Sequence, residues 1–177
     1  EGRVLGFAMN AGMYHADRRP VGHYVEYGVE SAPLLTGASS GNFGLLPNGV
    51  LCVRSGRIDV IETRRFAEEA PDCLHASQSG PMLVIDGALH PRFLPDSTSR
   101  FIRNGVGTSA DGRTAVFAIT DAAVNFHTFG RFYRDALQLP NALYFDGKVS
   151  RLHAPALGRS DFGFALGPII GTVVPAE

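Results

Sequence analysis

An aspartate, a glycine and a serine close the stretch Pro140-Asn141-Ala142-Leu143-Tyr144-Phe145-Asp146-Gly147-Lys148-Val149-Ser150. The apolar and aromatic residues ahead of Asp146 read as a buried strand. An ionisable group just past such a strand is held by a rigid scaffold and still meets solvent, which is a common place for a catalytic carboxylate. A second reading competes: Asp146-Gly147 is also a strong signal for the turn of a β-hairpin. The residues alone leave both open.

Other polar residues stand in apolar company. Asn10 follows one strand-like run, Gln78-Ser79-Gly80 precedes another, and Arg103-Asn104 lies inside a third. A buried polar group left unpaired costs about 1–3 kcal/mol. A fold that places several at strand ends either pairs them with each other or presents them to a ligand. Turn formation explains Asn10, Ser79 and Asn104 taken singly. Arg103 is harder to place, because a guanidinium in an apolar strand calls for an anionic partner, a carboxylate of the protein or a phosphate of a substrate.

Several chemistries find no motif. Gly105-Val106-Gly107 lacks the third glycine and the following helix of a dinucleotide site, and there is no P-loop. No Gly-x-Ser-x-Gly elbow occurs. His15, His23, His75, His90, His127 and His153 are scattered at spacings that build no local zinc site, so no metal ligands are assigned. A net charge of -1 argues against a nucleic-acid partner, and no apolar run approaches the length of a membrane span. Cys52 reads as a buried core residue among Val50 and Val53, and the pair Cys52 and Cys73 does not settle the redox compartment.

The elements that must position these residues are many short strands. With 45% hydrophobic residues, 21 glycines and 11 prolines, the chain is globular and turn-rich rather than a helical bundle. Strands are expected over residues 4–9, 20–26, 82–85, 101–107 and 114–120. Hairpins are expected around Ser55-Gly56 and Asp86-Gly87. Helices are expected over 63–70, closed by Pro71, and over 125–139, with Asn125 as N-cap and Phe126, Phe129, Tyr133, Ala136 and Leu137 on one face. Residues 164–174 read as a final buried strand. The fold class is α+β: a single domain over residues 1–177, with a mixed or antiparallel β-sheet, hairpins and about two helices packed on it. The first residues already read as a strand, so the natural chain is expected to begin earlier.

Five segments carry a resemblance. Met9-Asn10-Ala11-Gly12-Met13-Tyr14, Gln78-Ser79-Gly80-Pro81-Met82-Leu83, Arg103-Asn104-Gly105-Val106-Gly107, Asn141-Ala142-Leu143-Tyr144-Phe145-Asp146-Gly147 and Gly167-Pro168-Ile169-Ile170-Gly171 occur in this order. Together they resemble the phosphodiester glycosidase family. That family includes the lysosomal uncovering enzyme, which removes N-acetylglucosamine from mannose-6-phosphate diesters, and a bacterial branch of small exported proteins that this chain resembles most. The family often has Arg-Thr-Ala-x-Gly where this chain has Arg103-Asn104-Gly105-Val106-Gly107, and Leu-Asp-Gly-Gly-Gly-Ser where it has Phe145-Asp146-Gly147-Lys148-Val149-Ser150. The family also usually has a segment ahead of the Asn-Ala-Gly motif that is missing here, which implies a truncated or processed chain.

The resemblance implies a hydrolase that cleaves the glycosidic bond of a sugar-1-phosphodiester or a related cell-envelope glycan. It implies Asp146 as the carboxylate at the reacting centre and Arg103 on the phosphate, with Glu26, Asp86 and Asp121 as alternatives for a second carboxylate. Asn10, Gln78, Ser79, Gly80, Asn104, Gly147 and Ser150 would hold the sugar or orient Asp146. No cofactor is required, and a divalent cation near Asp146 is compatible with the chemistry. The expected partner is a carbohydrate or glycosyl phosphodiester, and the expected location is periplasmic or extracellular. The alternative on the same fold is a non-catalytic glycan-binding or envelope-assembly module, suggested by the altered glycine loop.

Overall fold

The computed structural model describes residues 2–37 and 39–176. Among the described residues the strands form three sheets, and every ladder between them is antiparallel. The first sheet runs β13 (Arg159–Ser160), β12 (Leu152–Ala154), β1 (Arg3–Asn10), β14 (Ile169–Pro175). The second runs β10 (Ala115–Ile119), β9 (Asn104–Thr108), β11 (Asn141–Tyr144), β7 (Met82–Ile85), β8 (Ala88–Leu89). The third runs β3 (Val29–Ala32), β2 (Tyr24–Glu26), β6 (His75–Ser79), β4 (Gly49–Arg54), β5 (Arg57–Glu62). With α1 (Thr63–Glu69) and α2 (Phe126–Arg131), this is the expected α+β class.

Strand alternation sorts the core into layers. Leu51 and Val60 of the third sheet meet Met82, Val106, Leu143 and Phe145 of the second, with Met9 of the first closing the cluster. On the outer face of the third sheet, Val50, Cys52 and Ile61 pack on Phe66 of α1. On the outer face of the second, Leu83, Ala142 and Tyr144 pack with Phe129 and Tyr133. The two sheets thus lie face to face, and each carries a helix on its back.

Both helices follow their local signals. Asn125 caps α2, its Oδ1 accepting from the Thr128 amide at 2.8 Å. Glu62 accepts from Arg64 and Arg65 at the start of α1. After Arg131 the expected long helix widens into a π-helical turn, Phe132–Ala136. The wider turn shifts the inward face by one residue, so Ala136 points to solvent and Leu139 is buried instead.

Four expectations are adjusted by the structure. The strand expected at 20–26 joins its sheet only from Tyr24, and Tyr27 and Gly28, with φ of 50° and 77°, turn it tightly into β3. The strand expected at 101–107 enters its ladder only at Asn104, with Phe101 bridged to Val124. The tail expected to be buried is β14, an edge strand that pairs on one side only with β1 and is largely exposed. Cys52 is buried, and it is joined to Cys73 by a disulfide that ties β4 to the segment ahead of β6.

Candidate active site

Three strand ends meet at Asp146. Strand β11 delivers Phe145 and Asp146, β9 begins at Asn104, and β1 ends at Asn10. The Phe145 amide donates to the Asn104 carbonyl at 3.1 Å, and the Asp146 amide to the Ala11 carbonyl at 3.4 Å. The Ala11 amide in turn donates to Pro168 O at 2.9 Å. The Tyr144 amide donates to Pro81 O at 3.1 Å. The Gly12 amide reaches Ser77 Oγ at 3.0 Å, and a Cβ on Gly12 would overlap the Gln78 carbonyl. Segments scattered from Asn10 to Pro168 therefore pack around one short piece of backbone.

Two buried amides hold that piece. Asn10 Nδ2 donates to Asn104 Oδ1 at 3.1 Å and to Asp146 O at 2.9 Å, while Asn10 Oδ1 accepts from the Arg151 amide at 3.0 Å. Asn104 Nδ2 donates to Asp146 O at 3.0 Å and to Ser150 Oγ at 2.7 Å. The Ser150 hydroxyl lies 3.2 Å from Ile102 O and 3.4 Å from Gly147 O. Both asparagines are fully occupied by these protein partners. Their action is to fix the Asp146–Arg151 turn, leaving the partly buried Asp146 side chain on a rigid base. Asp146-Gly147 is thus no hairpin turn: Gly147–Val149 forms a single 3-10 turn instead.

The remaining expected residues are placed as follows. Gln78 lies on the far side of Gly12, where its side chain bonds the amides of His23 and Leu35, Leu35 O and Thr63 Oγ1. It anchors the loops around the third sheet and does not reach Asn10. Ser79 is buried with its hydroxyl unpartnered. Gly80 lies against Asn48, where an added Cβ would come within 2.7 Å of the Asn48 Cβ. Gly147 lies so close to the Tyr144 hydroxyl that any Cβ there would overlap it.

Arg103 is only 1% exposed. Its Nε donates to Val124 O at 2.8 Å and its Nη2 to Ser99 O at 2.9 Å. The guanidinium stacks over the Phe126 ring at 3.6 Å and lies 5.5 Å from the centre of the Tyr144 ring. Two carbonyls and an aromatic face thus take the place of the anionic partner that the sequence suggested. Burial holds the Arg103 pKa below its ordinary value, although the charge stays secure at neutral pH. Burial raises the Tyr144 phenol above its ordinary value, an effect that Asp146 reinforces and Arg103 opposes, so Tyr144 is a neutral hydroxyl beneath the turn.

Of the alternatives for a second carboxylate, Asp86 sits at the opposite end of the second sheet, in the β7–β8 turn, paired with Arg65 and with its amide on Asn141 Oδ1. Glu26 lies on β2 beside a groove between β14 and the third sheet. Asp121 borders a cavity of about 540 Å³ that Ser150 also lines. The same cavity carries Arg151, Arg159 and Asp161, which the sequence reading did not single out. The alternation of Arg159 and Asp161 around β13 was their only local signal. Among the described residues, no three or more His, Cys, Asp and Glu side chains gather as a metal site.

Comparison with known proteins gives a consistent result. The family described as Phosphodiester glycosidase matches residues 4–152. A protein of Escherichia coli (strain K12) named Uncharacterized protein YigE is 35% identical over 146 residues, covering 82% of this chain and 57% of the relative. The chain thus spans little more than half of that relative's length. The zebrafish N-acetylglucosamine-1-phosphodiester alpha-N-acetylglucosaminidase catalytic domain, auto-inhibited by its pro-peptide, superposes with a TM-score of 0.59 at 13% identity, covering 98% of this chain and 64% of that one. A hypothetical protein from Synechocystis superposes with a TM-score of 0.54 at 11% identity, covering 97% and 50%. At such identities the two structures speak for the fold alone.

Proposed function

The chain belongs to the phosphodiester glycosidase family, and on that premise we propose that it hydrolyses the glycosidic bond of a sugar-1-phosphodiester or a related cell-envelope glycan. The observation that carries this reading is the double clamp of Asn10 and Asn104 on the Asp146 carbonyl oxygen. A fold that commits two buried amides to one turn is holding that turn to a fixed geometry. Preorganisation of this kind is what a reacting carboxylate needs.

The roles follow from the placement. The phosphate monoester released is already a good leaving group, so the main tasks are to stabilise an oxocarbenium-like transition state and to meet the departing charge. Asp146 faces the anomeric centre, as base for water or as nucleophile. Ser150 and Gly147 shape the turn next to it. Arg151, whose amide is fixed by Asn10 and whose guanidinium bonds the Phe164 carbonyl, ties the turn to the loop after β13. Arg103 supports the site from below through Tyr144 and is a positioning residue. No step in this chemistry calls for a cofactor. The Cys52–Cys73 disulfide supports a location in an oxidising compartment outside the cytoplasm.

Hydrolysis in water enriched in heavy oxygen tests the bond that breaks. Attack at the anomeric carbon puts the label in the released sugar. Label in the phosphate instead would make the protein a phosphodiesterase and overturn the reading.

A further inference from the structure

The cavity beside Ser150 has a chemistry that phosphate binding does not explain. Arg159 is committed on both sides: its Nε and Nη2 bond Asp161 at 3.0 Å, and its Nη1 bonds Asp121 at 2.9 Å. Arg159 holds the Asp161 pKa below the usual carboxylate range, so Asp161 is an anion at neutral pH. With Arg151 included, the two guanidiniums in the cavity face two carboxylates, and the wall is balanced in charge. An inorganic anion gains little from such a wall. The remaining polar lining is the hydroxyls of Thr120, Ser150 and Ser160.

An aromatic ring stands at the same cavity. Phe162 lines it and is nevertheless 96% exposed, so one ring face is open to solvent. Its loop is tied to the proposed reaction site. The Arg151 guanidinium packs on Gly163 and bonds the Phe164 carbonyl, while the Arg151 amide is held by Asn10. The loop carrying Phe162 is thus anchored through one residue to the Asp146 turn.

We propose that this cavity is a subsite for a neutral sugar ring, with Phe162 as the stacking face and the Arg159–Asp161–Asp121 set as the hydroxyl-binding group. Paired guanidinium and carboxylate offer donors and acceptors in fixed positions without net charge, which is what a ring of hydroxyls requires. An exposed aromatic face covers the apolar C–H side of such a ring. A cavity of about 540 Å³ accommodates one to two sugar rings. The ring belongs either to a further sugar on the released glycan or to a sugar on the far side of the phosphate. This inference rests on the glycosidase reading only for the second of the two measurements below.

The first measurement is direct binding of cellobiose, maltose and N,N′-diacetylchitobiose, followed by NMR line shifts, with inorganic phosphate in parallel. The expected result is saturable binding of at least one disaccharide, weakened roughly tenfold in Phe162→Ala and unchanged in Tyr27→Ala, another exposed aromatic, in the turn between β2 and β3. Saturation by phosphate without any sugar response overturns the proposal, as does sugar binding indifferent to Phe162→Ala. The second measurement compares diesters with a methyl, a sugar or a disaccharide group on either side of the phosphate. The side on which Phe162→Ala raises KM identifies the source of the ring, and an equal effect on every substrate overturns the subsite. If no diester is hydrolysed, the glycosidase reading fails while the sugar titration still decides the subsite.

Discussion

Asn10 and Asn104 stand 94 residues apart in the chain, hydrogen-bond each other at 3.1 Å, and donate to the same carbonyl oxygen, that of Asp146. Each is too buried for water to replace a lost partner. Replacing Asn104 with leucine is therefore expected to cost about 1–3 kcal/mol in stability. Turnover should fall further than stability does, because the Asp146 turn loses a tether. Denaturant unfolding and kinetics on the same preparations separate the two effects.

Gly147 and Tyr144 form a second coupled pair. Gly147→Ala places a methyl group on the Tyr144 hydroxyl, and the strain should either displace the ring or open the turn. Tyr144→Phe removes the oxygen in question. The double variant is expected to recover part of the loss, with a coupling of about 1 kcal/mol or more in a double-mutant cycle. Additive losses would show that the contact does not matter.

His90 links acid pH to stability. It is buried, its Nε2 donates to Leu46 O at 3.0 Å, and its Nδ1 accepts from the Arg92 amide at 3.2 Å. The neutral ring is fully satisfied, and desolvation holds its pKa below 6.5. Because the folded pKa is the lower one, the unfolded chain binds the proton first. This contribution is complete above about pH 6.5 and is lost as pH falls toward the folded value. A His90→Gln variant should lose that part of the pH dependence, as read from denaturation midpoints between neutral and mildly acid pH.

The disulfide gives a prediction independent of the site. Cys52 and Cys73 are 21 residues apart, and closing a loop of that size contributes about 3 kcal/mol. Unfolding with and without reductant, beside a Cys52→Ala/Cys73→Ala variant, should show a shift of that order. The reduced protein and the double variant should agree.

Much of the frame was legible because local signals and fold agree. Asn125 caps its helix, Pro71 follows the end of α1, and Asp86 and Gly87, with φ of 46° and 83°, make the expected hairpin turn. The gathering of the five resembling segments was also legible, since they do meet around Ala11 and Asp146. The roles within it were less so. Asp146-Gly147 has the same local pattern as Asp86-Gly87, yet the Asp146 carbonyl is held by Asn10 and Asn104 and the chain enters a 3-10 turn rather than a hairpin. Nothing near Arg103 in sequence reveals that Phe126 and Val124 will surround its guanidinium. In sequence Asn10 and Ser150 fit either substrate contacts or supports, and only their saturated bonds favour support. Arg151 and Arg159 carry no pattern in sequence until a cavity gathers them.

Release of free sugar from a panel of sugar-1-phosphodiesters, by wild type beside Asp146→Asn, decides whether Asp146 carries the reaction. Wild type is expected to turn over at least one diester, with turnover reduced by two or more orders of magnitude in Asp146→Asn and circular dichroism unchanged. Equal turnover by a folded Asp146→Asn protein would contradict that role and move the reacting carboxylate elsewhere.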